Sequence, residues 1–236
     1  MTVADHRWAL VVGASRGLGL GLAAELQSRG WNVVATARDV AGERRVRELA
    51  AEPGGGEIRS EHLDINDDAG IVGLRRRLDG TLFDLVFVNA GIAPRGRDNA
   101  ASITREEAAH VFMTNAVAPL RVARAFVDRV RDGPGVVAFM SSGLGSVASK
   151  NDSYGELYSA SKAALNSLSR SFAASLGRRR ITVLAIAPGW VRTDMGGAGA
   201  PLSVEQSVRG IVDVLENRAG TRRHGFVDYR GRDVAW

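Results

Sequence analysis

The sequence predicts a single-domain α/β fold over residues 1–236: a doubly wound sheet of about seven mostly parallel strands with helices on both faces. Three observations lead there. Short apolar runs such as Trp8-Ala9-Leu10-Val11-Val12 and Val136-Val137-Ala138-Phe139-Met140 are continuous rather than alternating, the pattern of strands buried on both faces. They alternate with stretches of helical periodicity, as the crossovers of a parallel sheet require. No linker interrupts the chain, and 236 residues with 45% hydrophobic content can bury one substantial core.

In chain order, the first apolar run leads into Gly13-Ala14-Ser15-Arg16-Gly17-Leu18-Gly19, and a helical stretch then stops at Arg29-Gly30, with glycine as its C-terminal cap. Residues 32–36 complete a βαβ unit. Lacking Cβ, the glycines let backbone N–H groups approach a pyrophosphate and let the helix pack close to the strand, its positive end aimed at the anion. The end of the second strand meets the adenosine ribose in such a unit. An acidic residue there binds the 2′-hydroxyl of NAD, whereas a small residue followed by arginine accommodates the 2′-phosphate of NADP. This chain has Ala37 and Arg38, with Arg16 able to close on the same phosphate from the glycine loop, so NADP(H) is the expected cofactor. Asp39 reads as a helix N-cap.

Residues 40–51 read as a surface helix, Pro53-Gly54-Gly55-Gly56 as a turn, and 59–63 as a third strand ending in Asp64. Asp64 admits two readings, an acceptor for the adenine amino group or a helix N-cap. A helix through Leu74 precedes a strand at 82–88, which ends in Asn89-Ala90-Gly91, small residues that leave room for a cofactor at the sheet's crevice. Thr104-Arg105-Glu106-Glu107 is a capping box opening a long helix to about Val130. Pro119 cannot donate an N–H to the Asn115 carbonyl. That carbonyl either holds a water in a proton relay or marks a simple proline kink.

After the strand at 136–140 comes Ser141-Ser142-Gly143, a hydroxyl at the crevice able to donate to a substrate carbonyl. Tyr158 and Lys162 follow four residues apart on a helix running to about Leu176, and so share a face. A neighbouring ammonium favours the phenolate and brings the phenol into a useful range for proton transfer. On spacing alone, an exposed amphipathic helix with a snorkelling lysine is the favoured reading. A strand at 181–187 breaks at Pro188-Gly189. The glycine-rich stretch 190–202 reads as a mobile loop over a substrate or as an ordinary surface loop. Ser203-Val204-Glu205-Gln206 caps a last helix, and 225–228 reads as an edge strand.

Composition narrows the function classes. A net charge of +5 from 31 basic and 26 acidic residues raises an anionic partner. The arginines are scattered, and the runs Arg75-Arg76-Arg77 and Arg178-Arg179-Arg180 sit near predicted helix ends, so a phosphorylated small molecule is expected and a nucleic acid is not. Without cysteine there is neither a disulfide nor a thiolate metal site. His6, His62, His110 and His224 lack ligand spacing, so no metal is expected. No signal peptide and no apolar run near ~18–20 residues is present, and a cytoplasmic protein off the membrane is expected.

Gly13, Gly17 and Gly19, Asn89-Ala90-Gly91, Asn115, Ser142, Tyr158-x-x-x-Lys162 and Pro188-Gly189 occur in the order seen in the short-chain dehydrogenases/reductases, and the chain resembles that family over nearly its whole length. The stretch 188–197 and the ending Phe226-Val227-Asp228-Tyr229 to Trp236 resemble the branch of C-factor and sniffer-type carbonyl reductases. The resemblance implies a Rossmann-type fold and NADPH-dependent reduction of a ketone, aldehyde or dione to an alcohol. An NAD(P)-binding signalling or sensor protein with little turnover is the alternative. By resemblance, Tyr158 is the general acid, Lys162 holds the nicotinamide ribose and lowers the Tyr158 pKa, Ser142 orients the carbonyl and Asn115 holds the relay water. Cofactor contacts are implied at Gly13, Ser15, Arg16, Gly17, Leu18, Gly19, Ala37, Arg38, Asp64, Ile65, Asn89, Ala90, Gly91, Tyr158, Lys162, Pro188, Gly189, Val191 and Thr193. Substrate contacts are implied at Ser142, Tyr158 and Trp190. Family members are commonly homodimers or homotetramers packed through the helices carrying Asn115 and Tyr158. The chain departs from the pattern at Val12 and Val88, where the family often has Thr and Asn. Its segment from Ser142 to Tyr158 is slightly long, and Ser141 rivals Ser142.

Overall fold

The computed structural model describes residues 7–94, 98–221 and 223–236; His6 lies outside them. The first half runs β1 (Trp8–Val12), α1 (Gly17–Ser28), β2 (Asn32–Ala37), α2 (Val40–Ala50), β3 (Ile58–His62), α3 (Asp68–Arg77) and β4 (Leu85–Val88). The second runs α4 (Arg105–Phe112), α5 (Ala118–Phe126), β5 (Val136–Met140), α6 (Glu156–Ser175), β6 (Thr182–Ala187), α7 (Val204–Arg218) and β7 (His224–Asp228). Seven strands form one sheet in the order β3-β2-β1-β4-β5-β6-β7, every pair parallel. The order reverses between β1 and β4, which opens a crevice beyond their carboxyl ends where ligands of such sheets bind.

Alternate strand residues serve opposite faces. Ala9, Val11, Val33 and Ala35 pack under Leu22 and Leu26 of α1 and Val208, Ile211 and Val212 of α7. Leu10, Val12, Val34, Val86 and Val88 pack under Leu74 of α3, Val122 and Phe126 of α5, and Leu165 and Phe172 of α6. Because both faces are covered, the strands read as unbroken apolar runs. Val12 and Val88, the two departures from the family pattern, are core residues of the second face, each 1% exposed.

Local signals set most boundaries. Helix α1 ends with Gly30 N donating to Gln27 O and Trp31 N to Leu26 O, the paired bonds of a Schellman motif, with Trp31 and Leu26 both in the core. Asp39 caps α2 through Gly42 N, and Ser203 and Gln206 form a complete capping box on α7. Asp67, not Asp64, caps α3, and Thr104 caps α4 by accepting from Glu107 N.

Other expectations need correction. The predicted long helix is broken, because the N–H missing at Pro119 removes a rung of the ladder. Residues Met113–Val117 form a π-helical turn, with Ala118 N donating to Met113 O, and Val127–Arg129 close as a 3₁₀ turn. Strand β4 is shorter than predicted: Leu82 is exposed, and Phe83 makes an isolated parallel bridge with Val130. Arg75, Arg76 and Arg77 do occupy the last turn of α3. Arg178, Arg179 and Arg180 lie beyond α6 instead, where Arg179 donates to the carbonyls of Val127 and Val130.

His224, at the start of β7, is partly buried against Trp236, with ring centroids 4.8 Å apart and Nε2 3.1 Å from Ser169 Oγ. Burial, aided by Arg170, pushes its pKa down to about 4 from 6.5. The folded pKa lies below the unfolded one, so this contribution to stability is fully present above pH 6.5 and is lost as pH falls toward 4. Urea unfolding at pH 7 and pH 5 is expected to show a loss in the wild type that exceeds the loss in His224→Gln by on the order of 2 kcal/mol. Equal losses would remove His224 as the cause.

Candidate active site

At the switch point, the glycine loop is pressed against the end of β4. Gly13 adopts φ +87°, and a Cβ there would meet the Ala90 backbone at 2.8 Å. Gly19 faces back into the loop, where a Cβ would lie 2.1 Å from Gly13 O and 2.5 Å from Asn89 Nδ2. The loop is tied down by Asn89 Nδ2 donating to Gly13 O at 2.7 Å, Gly13 N to Thr36 Oγ1 at 3.1 Å and Ala14 N to Thr36 O at 2.7 Å. Helix α1 begins at Gly17 with no side-chain cap, since the Arg16 guanidinium carries no acceptor, and no acidic residue occupies its first turn. Backbone N–H groups in a side-chain-free cradle at a helix N-terminus suit a pyrophosphate. Ser15 and Leu18 belong to this cradle, and Arg45 of α2 donates from Nε to Ser15 O at 2.7 Å.

At the end of β2, Ala37 is buried and Arg38 exposed, with no hydrogen-bond or ion-pair partner for Arg38 among the described residues. Asp64 accepts from Asn66 N through Oδ1, so of its two readings the N-cap of α3 is removed. Ile65 is 6% exposed and packs in the second core. Arg16 is paired across the loop. Its Nη1 lies 2.7 Å from Asp194 Oδ2 in an exposed ion pair that joins the glycine loop to the stretch after β6.

Ser142, Tyr158 and Lys162 come together beyond β5. Ser141 is buried and donates to Asn166 Oδ1 at 2.6 Å, inside α6, which removes it as the crevice serine. Ser142 turns outward, accepts from Leu144 N at 3.2 Å and stands beside the half-buried Tyr158 phenol, whose upward pKa shift it opposes. Lys162 is buried; its Nζ donates to Met140 O at 2.8 Å and lies 5.8 Å from the Tyr158 ring centroid. Gly91 adjoins it, for a Cβ there would lie 3.2 Å from Lys162 Nζ and 3.3 Å from Asn115 Oδ1.

Burial sets the charge states of this pair. It pushes the Tyr158 phenol up to about 12 against the opposing Ser142 hydrogen bond, and it pushes the Lys162 ammonium down to about 8. Lys162 is not among the groups that move the Tyr158 pKa. Asn115 is structural in its side chain: it accepts from Ile92 N and donates to Ile92 O, both at 2.8 Å, and donates to Ser161 Oγ at 2.9 Å.

The stretch after β6 is folded on itself. Val191 bridges Leu202, Arg192 Nη1 donates to Ala200 O and Pro201 O, Gly196 N donates to Thr193 Oγ1, and the Trp190 indole, 60% exposed, donates to Gly196 O. The Pro188 carbonyl is held by Ser207 Oγ at 2.7 Å, and Gly189 has φ +81°. Thr193 stands over the cradle, its Cγ2 3.4 Å from where a Gly17 Cβ would be.

Cradle, Tyr158–Ser142 pair and buried Lys162 thus lie along one edge of the sheet, the arrangement whose residues match a family model described as enoyl-(acyl carrier protein) reductase over residues 13–223. The chain belongs to the short-chain dehydrogenase/reductase family. Among its relatives, the C-signal protein of Myxococcus xanthus is 38% identical over 155 residues, covering 65% of this chain and 92% of that protein. A carbonyl reductase from Pseudomonas aeruginosa PAO1, solved in complex with NADP, is 43% identical with a TM-score of 0.90, over 98% of this chain and 100% of the other. The carbonyl reductase Sniffer of Drosophila melanogaster is 29% identical with a TM-score of 0.83, over the same shares. Family membership makes this chain one of the oxidoreductases with a seven-stranded Rossmann-type sheet. Among the described residues no helix is long and apolar enough to cross a membrane. Thr36, Arg45 and Asp194 escaped sequence reasoning, since each acts on a residue that only the fold brings near.

Proposed function

We propose that this chain reduces a carbonyl compound to an alcohol with NADPH, with Tyr158 as the general acid. The observation that carries this reading is the neutral Tyr158 phenol beside Ser142 and the buried Lys162 ammonium, at the rim of a cradle where a Cβ at Gly13 or Gly19 would strike backbone. NADPH, when bound, supplies the hydride. Ser142 holds the carbonyl oxygen and Tyr158 gives it the proton, so the oxygen leaves as a hydroxyl and the phenolate is recharged from solvent past Lys162 and Asn115.

The residues present suit the cofactor. Gly13, Ser15, Gly17, Leu18 and Gly19 offer backbone N–H groups to the pyrophosphate, and Asn89, Ala90 and Gly91 form the floor beside it. Ala37 leaves space and Arg38 offers a guanidinium to the 2′-phosphate, with Arg16 exchanging Asp194 for that phosphate. Asp64 and Ile65 flank the adenine. Lys162 and Tyr158 hold the nicotinamide ribose, and Pro188, Gly189, Val191 and Thr193 hold its carboxamide. The stretch 190–202 closes over the substrate as a braced unit, with Trp190 contacting it. The family supports a homodimer or homotetramer packed through α4, α5 and α6.

NADPH consumption with a panel of ketones, aldehydes and diones tests the reading; tight NADPH binding without turnover on any of them would favour the signalling alternative instead. For cofactor choice, Arg38→Ala is expected to weaken NADPH about tenfold or more while changing NADH less than twofold, the loss of one charge-assisted contact to phosphate. Titration of both cofactors by fluorescence checks it, and equal losses would take Arg38 away from the 2′-phosphate.

A further inference from the structure

Helix α6 carries both Tyr158 and Lys162, yet its own sequence does not cap it. Its N-cap position is Gly155, which sits at φ 63°, ψ 51° and offers no side chain to the first turn. The leading N–H groups of a helix need acceptors from somewhere. Here they come from a residue far upstream in the chain. Asp98, in the connection after β4, accepts from Leu157 N at 2.8 Å through Oδ1 and from Tyr158 N at 3.3 Å through each carboxylate oxygen, while its carbonyl accepts from Glu156 N at 3.3 Å. Glu156 returns the contact, with Oε2 accepting from Ala100 N at 2.8 Å.

The other side of the Tyr158 backbone is held as well. Ser161 Oγ donates to Tyr158 O at 2.7 Å and accepts from Asn115 Nδ2 at 2.9 Å. The peptide groups flanking Tyr158 are therefore fixed by two side chains outside α6, Asp98 at the N–H and Asn115, through Ser161, at the carbonyl. The phenol oxygen lies at the far end of the side chain, where a small rotation of the first helical turn is amplified. Displacement of a reacting group by about 1 Å costs on the order of 10²-fold in rate.

We propose that Asp98 is a positioning residue: an N-cap supplied from a distant connection that sets where the Tyr158 phenol stands. This rests on the reading of Tyr158 as the proton donor. Its negative charge at the positive end of α6 strengthens the hold. Asp98 touches neither Ser142 nor Lys162 in the contacts described, so its effect is expected on the chemical step and not on cofactor binding.

The test compares Asp98→Ala and Asp98→Asn with Thr104→Ala, which removes an ordinary cap from α4. Well below the unfolding temperature, Asp98→Ala is expected to lower kcat for carbonyl reduction ten- to a hundredfold with the NADPH Kd within twofold. Asp98→Asn, which keeps an acceptor oxygen, is expected to recover most of it. Thr104→Ala is expected to lower Tm and leave kcat alone. A kcat within twofold of wild type in Asp98→Ala would overturn the proposal, as would an NADPH Kd that worsens in parallel with kcat. Should Asp98→Ala not fold, Asp98→Gly, which likewise offers no side-chain acceptor to Leu157 N and Tyr158 N, takes its place, and a kcat within twofold of wild type with unchanged Leu157 and Tyr158 amide exchange counts against the proposal. If the wild type reduces no carbonyl at all, the activity reading fails, and hydrogen exchange then judges the positioning. Faster exchange confined to the Leu157 and Tyr158 amides in Asp98→Ala would sustain it, and unchanged exchange there would end it.

Discussion

Tyr158→Phe is expected to lower kcat for carbonyl reduction by about 10³-fold, the contribution of one well-placed general acid, while leaving the fold and the cradle intact. The ring stays, so its contact with the buried Lys162 ammonium stays, and only the hydroxyl beside Ser142 is lost. Ser142 keeps its bond from Leu144 N, so no buried group is stranded. NADPH affinity within about threefold and an unchanged Tm would place the loss on the chemical step. Retention of full activity would sink Tyr158 as the acid.

The pH profile separates the two members of the pair. With its pKa at about 12, the phenol is neutral throughout the working range and available as an acid. Lys162, at about 8, is an ammonium below that pH and loses its charge as pH rises through it. NADPH binding is therefore expected to weaken above pH 8, and to do so in Tyr158→Phe as in the wild type, because the limb belongs to the lysine. Absence of that limb in Lys162→Met would confirm the assignment, and its persistence there would refute it.

Gly19→Ala is expected to be the most damaging substitution outside the proton-handling groups. Two effects oppose one another. Alanine is the better helix former by about 1 kcal/mol, and Gly19 lies in the first turn of α1. Against that, the new Cβ would stand 2.1 Å from Gly13 O and 2.5 Å from Asn89 Nδ2, both part of the bond that pins the cradle to β4. A backbone oxygen cannot swing aside as a long side chain can. The clash wins, costing about 1–3 kcal/mol of stability. If it also removes two charge-assisted contacts to the pyrophosphate, NADPH affinity falls by at least ~100-fold. Gly73→Ala in α3, where a Cβ would meet only the end of Arg77 at 3.4 Å, serves as the control and is expected to be neutral or stabilising. Equal NADPH affinity in Gly19→Ala and wild type would show that the cradle does not depend on this approach.

Much of this protein was legible from neighbours in the chain. Continuous apolar runs marked strands covered on both faces, and the sheet is parallel throughout. Asp39 and Ser203 were readable as caps because a cap acts on an N–H two or three residues away. Pro119 announced a disturbed ladder, though its outcome, a π-helical turn that places Asn115 against Ile92, depended on what lay opposite.

The amino-acid sequence by itself determined the fold class, the glycine loop, the order of the motifs and the family. Those rest on short-range periodicity, on the missing Cβ of glycine and on spacing along one helix. Only the tertiary structure decided that Ser142 and not Ser141 faces the crevice, that Asp67 and not Asp64 caps α3, that Arg16 reaches Asp194, and that Asp98 caps the helix of Tyr158 from 60 residues upstream. The Asp67 cap turns on where α3 begins, and the other three turn on a polar side chain meeting a partner from another element. That is a matter of packing, and no pattern within a few residues encodes it.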